Sequence, residues 1–344
     1  MNPVLVEVLR GGQVESAHAG ALAVVDADGG VVAALGDIDR PAFPRSAVKL
    51  LQALPLVESG AADRLGLDDD ALALACASHG GEAMHTRTAA DMLARAGLDA
   101  DALECGAHWP YHEATARALA AAGARPSPLH NNCSGKHAGF LCLACELARR
   151  AGADPRGFAR GYVRPDHPAM REVTAALGEV TGCDLERAPR GTDGCSIPTW
   201  AIPLRALALG FARVATGHGV GPARAEALRR LRTAVAARPE LVGGSGRFDT
   251  RVMQRLGGRA CIKPGAEGMY CAALPGRGLG VAIKIDDGNG RAAEVAMAAL
   301  LGAFVALDGD EAAFMSGLAE PRLANWNGIE VGALRPAAAL QRLT

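Results

Sequence analysis

A chain of 344 residues can bury a substantial core, as one large domain or two closely joined ones. With 49% apolar and 21% charged residues it has the mix of a globular protein, and a formal net charge of -1 argues against a polyanion-binding surface. Its 9 cysteines are scattered and odd in number, which argues against a disulfide framework and for reduced thiols.

Residues 4–9 alternate weakly and end at Arg10-Gly11-Gly12. Apolar runs from Ala19 to Val25 and from Val31 to Leu35 flank Asp26-Ala27-Asp28-Gly29-Gly30, predicting two strands joined by a tight turn. After Phe43-Pro44 the texture changes, and Ala47 to Val57 has helical spacing of its apolar residues. From about 63 to 240 the chain is mostly Ala/Leu-rich helical segments broken by Gly and Pro. Asp68-Asp69-Asp70 suits a helix N-terminus, where acidic residues are favoured. Arg149-Arg150 and Arg229-Arg230 sit in such segments and read as solvated helix faces, with no nucleic-acid partner expected. Strand texture returns near Ala260. Leu279 to Ile285 predicts a strand, Ala292 to about Leu307 a helix, and Asn327 to Gly332 a last short strand.

Strands therefore cluster at both ends and helices fill the middle. The pattern predicts an α+β chain, with a sheet domain from 1–62 and 255–344 and a mostly helical domain, 63–254, inserted between. The uncharged apolar run Val295 to Leu307 is too short for a bilayer, which needs about 20 residues, so no membrane partner is expected. Met1-Asn2-Pro3 leads into a strand-like run containing Glu7 and Arg10, with no basic head and no long apolar stretch. A soluble, cytoplasmic protein is the expectation.

Five segments could carry chemistry. In Arg45-Ser46-Ala47-Val48-Lys49, helical spacing lets Lys49 reach the hydroxyl of Ser46. A neutral lysine can activate a serine, but neutrality at pH 7 costs roughly 4.6 kcal/mol from a reference pKa of about 10.4. Burial or a nearby cation must supply that shift. S-x-x-K is the nucleophile motif of serine β-lactamases, though alone it recurs by chance. Ala77-Ser78-His79-Gly80-Gly81-Glu82 follows an apolar run and reads either as an ordinary turn or as a serine exposed in a cleft. Asn131-Asn132-Cys133-Ser134-Gly135-Lys136-His137 is a polar loop leading into a buried helix, a good place for a site. Gly191-Thr192-Asp193-Gly194-Cys195-Ser196 is a second Gly-rich polar loop with a cysteine, and thiolates with nitrogen or oxygen donors suit zinc. Lys263-Pro264-Gly265-Ala266-Glu267-Gly268 opens the C-terminal strands and loosely resembles the K-T-G strand of β-lactamases. Cys142-Leu143-Ala144-Cys145, by contrast, lies in an apolar helical run and reads as core.

Together and in this order, the five segments resemble the Rhizobium etli type of L-asparaginase, also called the asparaginase II family, over nearly the whole chain. The resemblance implies a fold like that of serine β-lactamases and penicillin-binding proteins, a homodimer, and hydrolysis of L-asparagine to L-aspartate and ammonia. It implies two Ser-Lys pairs, Ser46 with Lys49 and Ser78 with Lys263. It implies one zinc ion per chain on Cys133, Lys136 and Cys195, with Asp193 and His137 beside it and Arg45 preceding the nucleophile. The alternatives are a glutaminase or β-lactamase-like serine amidohydrolase, and a catalytically silent amino-acid-binding protein. Against penicillin targets stand the missing Ser-Asp-Asn motif and the lack of a true K-T-G. Against a silent binder stands the presence of both Ser-Lys pairs.

Overall fold

The apolar run from Ala19 to Val25 becomes the buried half of a 14-residue strand in a computed structural model that describes residues 1–343. That strand is β2, Gln13–Asp26. It follows β1, Val4–Arg10, and precedes β3, Val31–Leu35. From the other end of the chain come β4, Cys261–Pro264, β5, Met269–Leu274, and β6, Leu279–Ile285. A final hairpin adds β7, Arg322–Ala324, and β8, Glu330–Pro336. Among the described residues these form one antiparallel sheet of eight strands, ordered β7-β8-β1-β2-β6-β5-β4, with β3 paired to β2.

β2 is what unites the two ends of the chain. Its first half pairs with β1, and Gly20 to Asp26 pair with Ile285 to Leu279 of β6. β6 is almost continuously buried, as expected for a strand covered on both faces. The helices Leu204–Thr216 and Gly290–Phe304 both pack against it. The architecture is therefore α+β, with a sheet drawn from both termini.

Two compact units divide the chain: 1–47, 201–219 and 259–344 hold the sheet, and 48–200 with 220–258 are mostly helical. The sheet unit ends at 47 rather than 62, because the helices Lys49–Gln52 and Leu54–Glu58 pack on Pro168–Thr181 and Pro222–Ala237. It also takes 201–219, since Leu207, Ala208, Phe211 and Ala212 give the Leu204–Thr216 helix an apolar stripe that lies on β2, β5 and β6.

The helix expected over Ala47 to Val57 is broken into a 3-10 turn, Arg45–Val48, and two short helices, with Pro55 in the first turn of the second. Proline fits a first helical turn and not a helix interior. Asp68 does cap a helix, Asp69–Ala75, accepting from the Ala71 N–H at 3.1 Å. Ser134–Ala151 is the spine of the helical unit, and a Cβ at Gly135 would stand 2.4 Å from the Leu74 carbonyl oxygen. Only glycine allows the two helices that approach. The segment expected as the last strand, Asn327 to Gly332, instead divides between a turn, where Asn325 accepts from Asn327 and Ile329, and the start of β8. Among the described residues no helix is long and apolar enough to cross a membrane.

Candidate active site

The polar loop before the Ser134–Ala151 helix is fixed by Asn131. Its buried side-chain amide donates to the Cys105 and Gly106 carbonyls at 2.9 and 3.1 Å and accepts from the Cys133 N–H at 2.8 Å. Cys133 is thereby held at the helix entrance. Cys133, Lys136, His137 and Phe140 follow at helical spacing i, i+3, i+4, i+7 and share one stripe. The Lys136 amine lies 5.6 Å from the Phe140 ring centre.

The second cysteine arrives on a hairpin loop. Strands Arg190–Thr192 and Pro198–Trp200 pair, and Asp193 closes the loop between them, donating to the Ile197 carbonyl at 2.8 Å and accepting from the Ser196 N–H at 2.9 Å. Ser196 takes a left-handed backbone, φ 77°, in this tight loop. Cys195 is turned inward and is 3% exposed. Lys136 Nζ donates to its sulfur at 3.0 Å, the Cys195 thiol is hydrogen-bonded to Cys133, and Lys49 Nζ donates to Cys133 Sγ at 3.1 Å. The result is a buried chain of four groups, Lys49–Cys133–Cys195–Lys136.

Their charges follow from that chain. The Cys133 thiol is held well below its ordinary value by the hydrogen bond from Cys195, against burial, with Lys49 and Lys136 adding to the effect. Cys195 moves the other way, because its hydrogen bond to Cys133 and its burial keep the proton on it. Burial acts to lower Lys136, but Cys195, Cys133 and Asp193 outweigh it and its pKa rises. For Lys49 burial prevails: its pKa falls, helped by Lys136 and opposed by Cys133 and Cys195.

Lys49 also donates to the Ala77 carbonyl at 2.5 Å, which ties it to the residue before Ser78. The Ser78 N–H donates to the Val242 carbonyl at 2.9 Å, and Ser78 is 5% exposed. Next to it, His79 is clamped: its Nδ1 accepts from the Gly81 N–H at 3.1 Å and its Nε2 lies 3.0 Å from the Ser134 hydroxyl. Lys49, Cys133, Lys136, Cys195 and Asp193 thus converge in the helical unit, with Ser78 beside Lys49's carbonyl partner.

Arg45, Ser46 and Lys263 are described within the sheet unit. Ser46 is half-buried in the 3-10 turn that Arg45 opens, and Arg45 is left-handed with φ 50°. Lys263 is 3% exposed on β4 and donates to the Pro264 carbonyl at 3.1 Å. The turn after it abuts the serine segment, since a Cβ on Gly265 would lie 2.5 Å from the Pro44 carbonyl oxygen. Glu267, two residues on, is again left-handed with φ 59°.

The buried sulfurs and the Lys136 amine form an S₂N donor set, which suits zinc provided the amine gives up its proton. The fit is chemical: two adjoining sulfurs and a nitrogen converge where water is excluded. Among the described residues no group of three or more His, Cys, Asp or Glu side chains is arranged to hold a metal, so any ion here depends on the lysine. Cys142 and Cys145 are core residues, and burial pushes the Cys142 thiol up to about 12. A surface groove of about 940 Å³ runs past Arg171, Glu179 and Trp200 and is lined by none of Arg45, Ser46, Lys49, Ser78, Cys133, Lys136, His137, Asp193, Cys195 and Lys263. Asn131 lies in a segment the sequence singled out but was given no role there, and Tyr162, whose hydroxyl lies 2.6 Å from His137 Nδ1, escaped the sequence altogether. Tyr162 stands alone in Arg160-Gly161-Tyr162-Val163-Arg164, with no motif to signal it.

No curated protein matches the chain. Among solved structures it is similar to a β-lactamase from Mycobacterium bovis, with 16% identity, a TM-score of 0.39, and coverage of 80% of this chain and 89% of that one. The family described as L-asparaginase II matches residues 6–336, a span that contains every segment of the site, and the chain belongs to that family.

Proposed function

We propose that the protein is an L-asparaginase that hydrolyses L-asparagine to L-aspartate and ammonia through a seryl acyl-enzyme. The observation that carries this reading is Lys49. It is a fully desolvated lysine with a lowered pKa, three residues beyond Ser46, with a second lysine charge in the same cluster. Serine–lysine acyl transfer needs such a base. The substrate comes from membership of the L-asparaginase II family.

In the proposed reaction Ser46 Oγ gives its proton to Lys49 Nζ and attacks the side-chain amide carbon of asparagine. The carbon–nitrogen bond breaks, and ammonia leaves with the lysine's proton. A water then hydrolyses the β-aspartyl ester, giving its proton back through the same lysine and restoring the serine. Ser78 and Lys263 relay protons and keep one lysine neutral beside a charged one. Cys133, Lys136 and Cys195 would hold zinc, which when bound supplies a Lewis-acidic anchor for the substrate. Asp193 and His137 orient groups beside that anchor, and Arg45 sets the serine turn. The working form is a cytoplasmic homodimer.

The test is ammonia release from L-asparagine and L-glutamine measured side by side, with and without chelator. One extra methylene displaces the reacting carbonyl, and a misplacement of about 1 Å can cost around a hundredfold. Glutamine should therefore be turned over far more slowly. Equal rates would overturn the specificity, and no turnover of either amide would leave a binding protein.

A further inference from the structure

Tyr162 is 0% exposed, and its hydroxyl serves two neighbours. The oxygen accepts from the Glu104 N–H at 2.9 Å and lies 2.6 Å from His137 Nδ1. The two rings meet edge to face, 5.4 Å between centres and 76° between planes. A phenol carries one hydrogen. Were the imidazole proton on Nδ1, the oxygen would accept twice and the hydroxyl hydrogen would have no acceptor among the described residues. The hydroxyl therefore donates to Nδ1, and neutral His137 carries its proton on Nε2.

That Nε2–H is buried on a residue 0% exposed, and it has no hydrogen-bond partner among the described residues. Buried donors are almost always satisfied, so an orphan calls for a ligand. Its position points to which one. His137 shares the helical stripe of Cys133 and Lys136.

We propose that Tyr162 is a positioning residue that locks His137 as the Nε2–H tautomer, so that one N–H donor meets a carboxylate or carbonyl oxygen of the small amino-acid amide bound beside the Lys–Cys cluster. The proposal rests on the asparaginase reading for its ligand, and on the Tyr162–His137 geometry for the tautomer. A protonated Nε2 cannot ligate a metal, so His137 stands beside an S₂N metal site and not in it.

The experiment is two-bond ¹H–¹⁵N NMR of the full-length protein, with His137 assigned from the His137→Gln difference, and L-aspartate as the probe. Expected are a protonated Nε2 and a bare Nδ1 in the wild type, and a downfield shift of the Nε2 proton on adding L-aspartate. Tyr162→Phe should mix the tautomers and raise KM for L-asparagine about tenfold or more, with kcat changed much less. His137→Gln, whose amide N–H reaches toward the Nε2 position, should bind L-aspartate better than His137→Asn. An Nδ1–H tautomer in the wild type overturns the proposal. So does an Nε2 proton indifferent to L-aspartate, which would mark an ordered water as its partner. If Tyr162→Phe does not fold by thermal melt, the wild-type spectra decide alone. If the wild type hydrolyses neither amide, the asparaginase reading fails, while the spectra still test the Tyr162–His137 lock.

Discussion

Lys49 Nζ lies 3.1 Å from Cys133 Sγ, and both side chains are shut off from solvent. The lysine that the sequence pairs with Ser46 is thus also wired to Cys133, 84 residues away. Burial lowers the pKa of Lys49, the Cys133 sulfur raises it, and the charge of Lys136 lowers it again. The proposed serine chemistry and the proposed metal site would both draw on this one amine.

Replacing either lysine should therefore be felt mainly in turnover. Lys49→Met and Lys263→Met are each expected to cost about 10²–10⁴-fold in kcat, with the cooperative thermal melt retained. Because the groups act as a unit, the double variant should lose much less than the product of the single losses. Full activity in Lys49→Met would remove the first pair from the mechanism.

Protein purified without added metal should contain one zinc per chain by elemental analysis, and Cys133→Ser and Cys195→Ser should each lose it. Chelation should raise KM more than it lowers kcat, the pattern of lost ground-state binding. Zinc affinity should fall with pH, because both sulfurs and Lys136 must be deprotonated to bind. Unchanged zinc in both serine variants would rule the site out.

Stability in acid should hinge on Glu146. Its buried carboxylate receives Arg149 at 2.7 Å, Arg64 at 2.5 Å and Arg150 at 3.0 Å. Hydrogen bonding to Arg149, against burial and aided by Arg64 and Arg150, lowers its pKa to about 2. A depressed carboxylate stabilises the fold above its unfolded value of about 4.3, and that term vanishes as pH falls through the folded value. Glu146→Gln should cost about 2 kcal/mol at pH 7, after allowing for screening at the half-exposed arginines. The variant's denaturant midpoint should also fall less steeply between pH 5 and pH 2 than the wild type's. Parallel curves would show that the cluster is merely decorative.

Gly265→Ala tests the contact inside the sheet unit. The new methyl would stand 2.5 Å from the Pro44 carbonyl oxygen, so backbone must shift. A loss of about 1–3 kcal/mol in stability is expected, as for overpacked sites, together with lower turnover as the Arg45–Ser46 turn moves. Wild-type stability and kinetics would mean that the turn yields freely.

The sheet was legible because its information is local. Asp26-Ala27-Asp28-Gly29-Gly30 marks the turn between β2 and β3, and Leu279 to Ile285 is apolar at every position but Lys284. The site segments were legible because each concentrates polar and glycine residues beside an apolar run. What escaped depends on partners distant in sequence. Nothing in Leu204–Thr216 says that its apolar stripe meets strands rather than helices. Nothing near Tyr162 announces a histidine 25 residues earlier. The break near Ala53 was visible in Pro55, but apolar spacing masked it until the two short helices were seen.

Among the described residues the non-glycine positions with left-handed backbone are Arg45, Ser196 and Glu267, and each falls inside one of the sequence motifs. Such a conformation costs an L-residue with a Cβ roughly 1–2 kcal/mol. Ser196→Gly would relax one of them without altering a buried side chain, since Ser196 is exposed at the loop that carries Cys195. The variant should melt later than the wild type, yet its hairpin would explore more conformations and present its sulfur less consistently. A selection for heat tolerance and a selection for turnover would then pull this one position toward different residues.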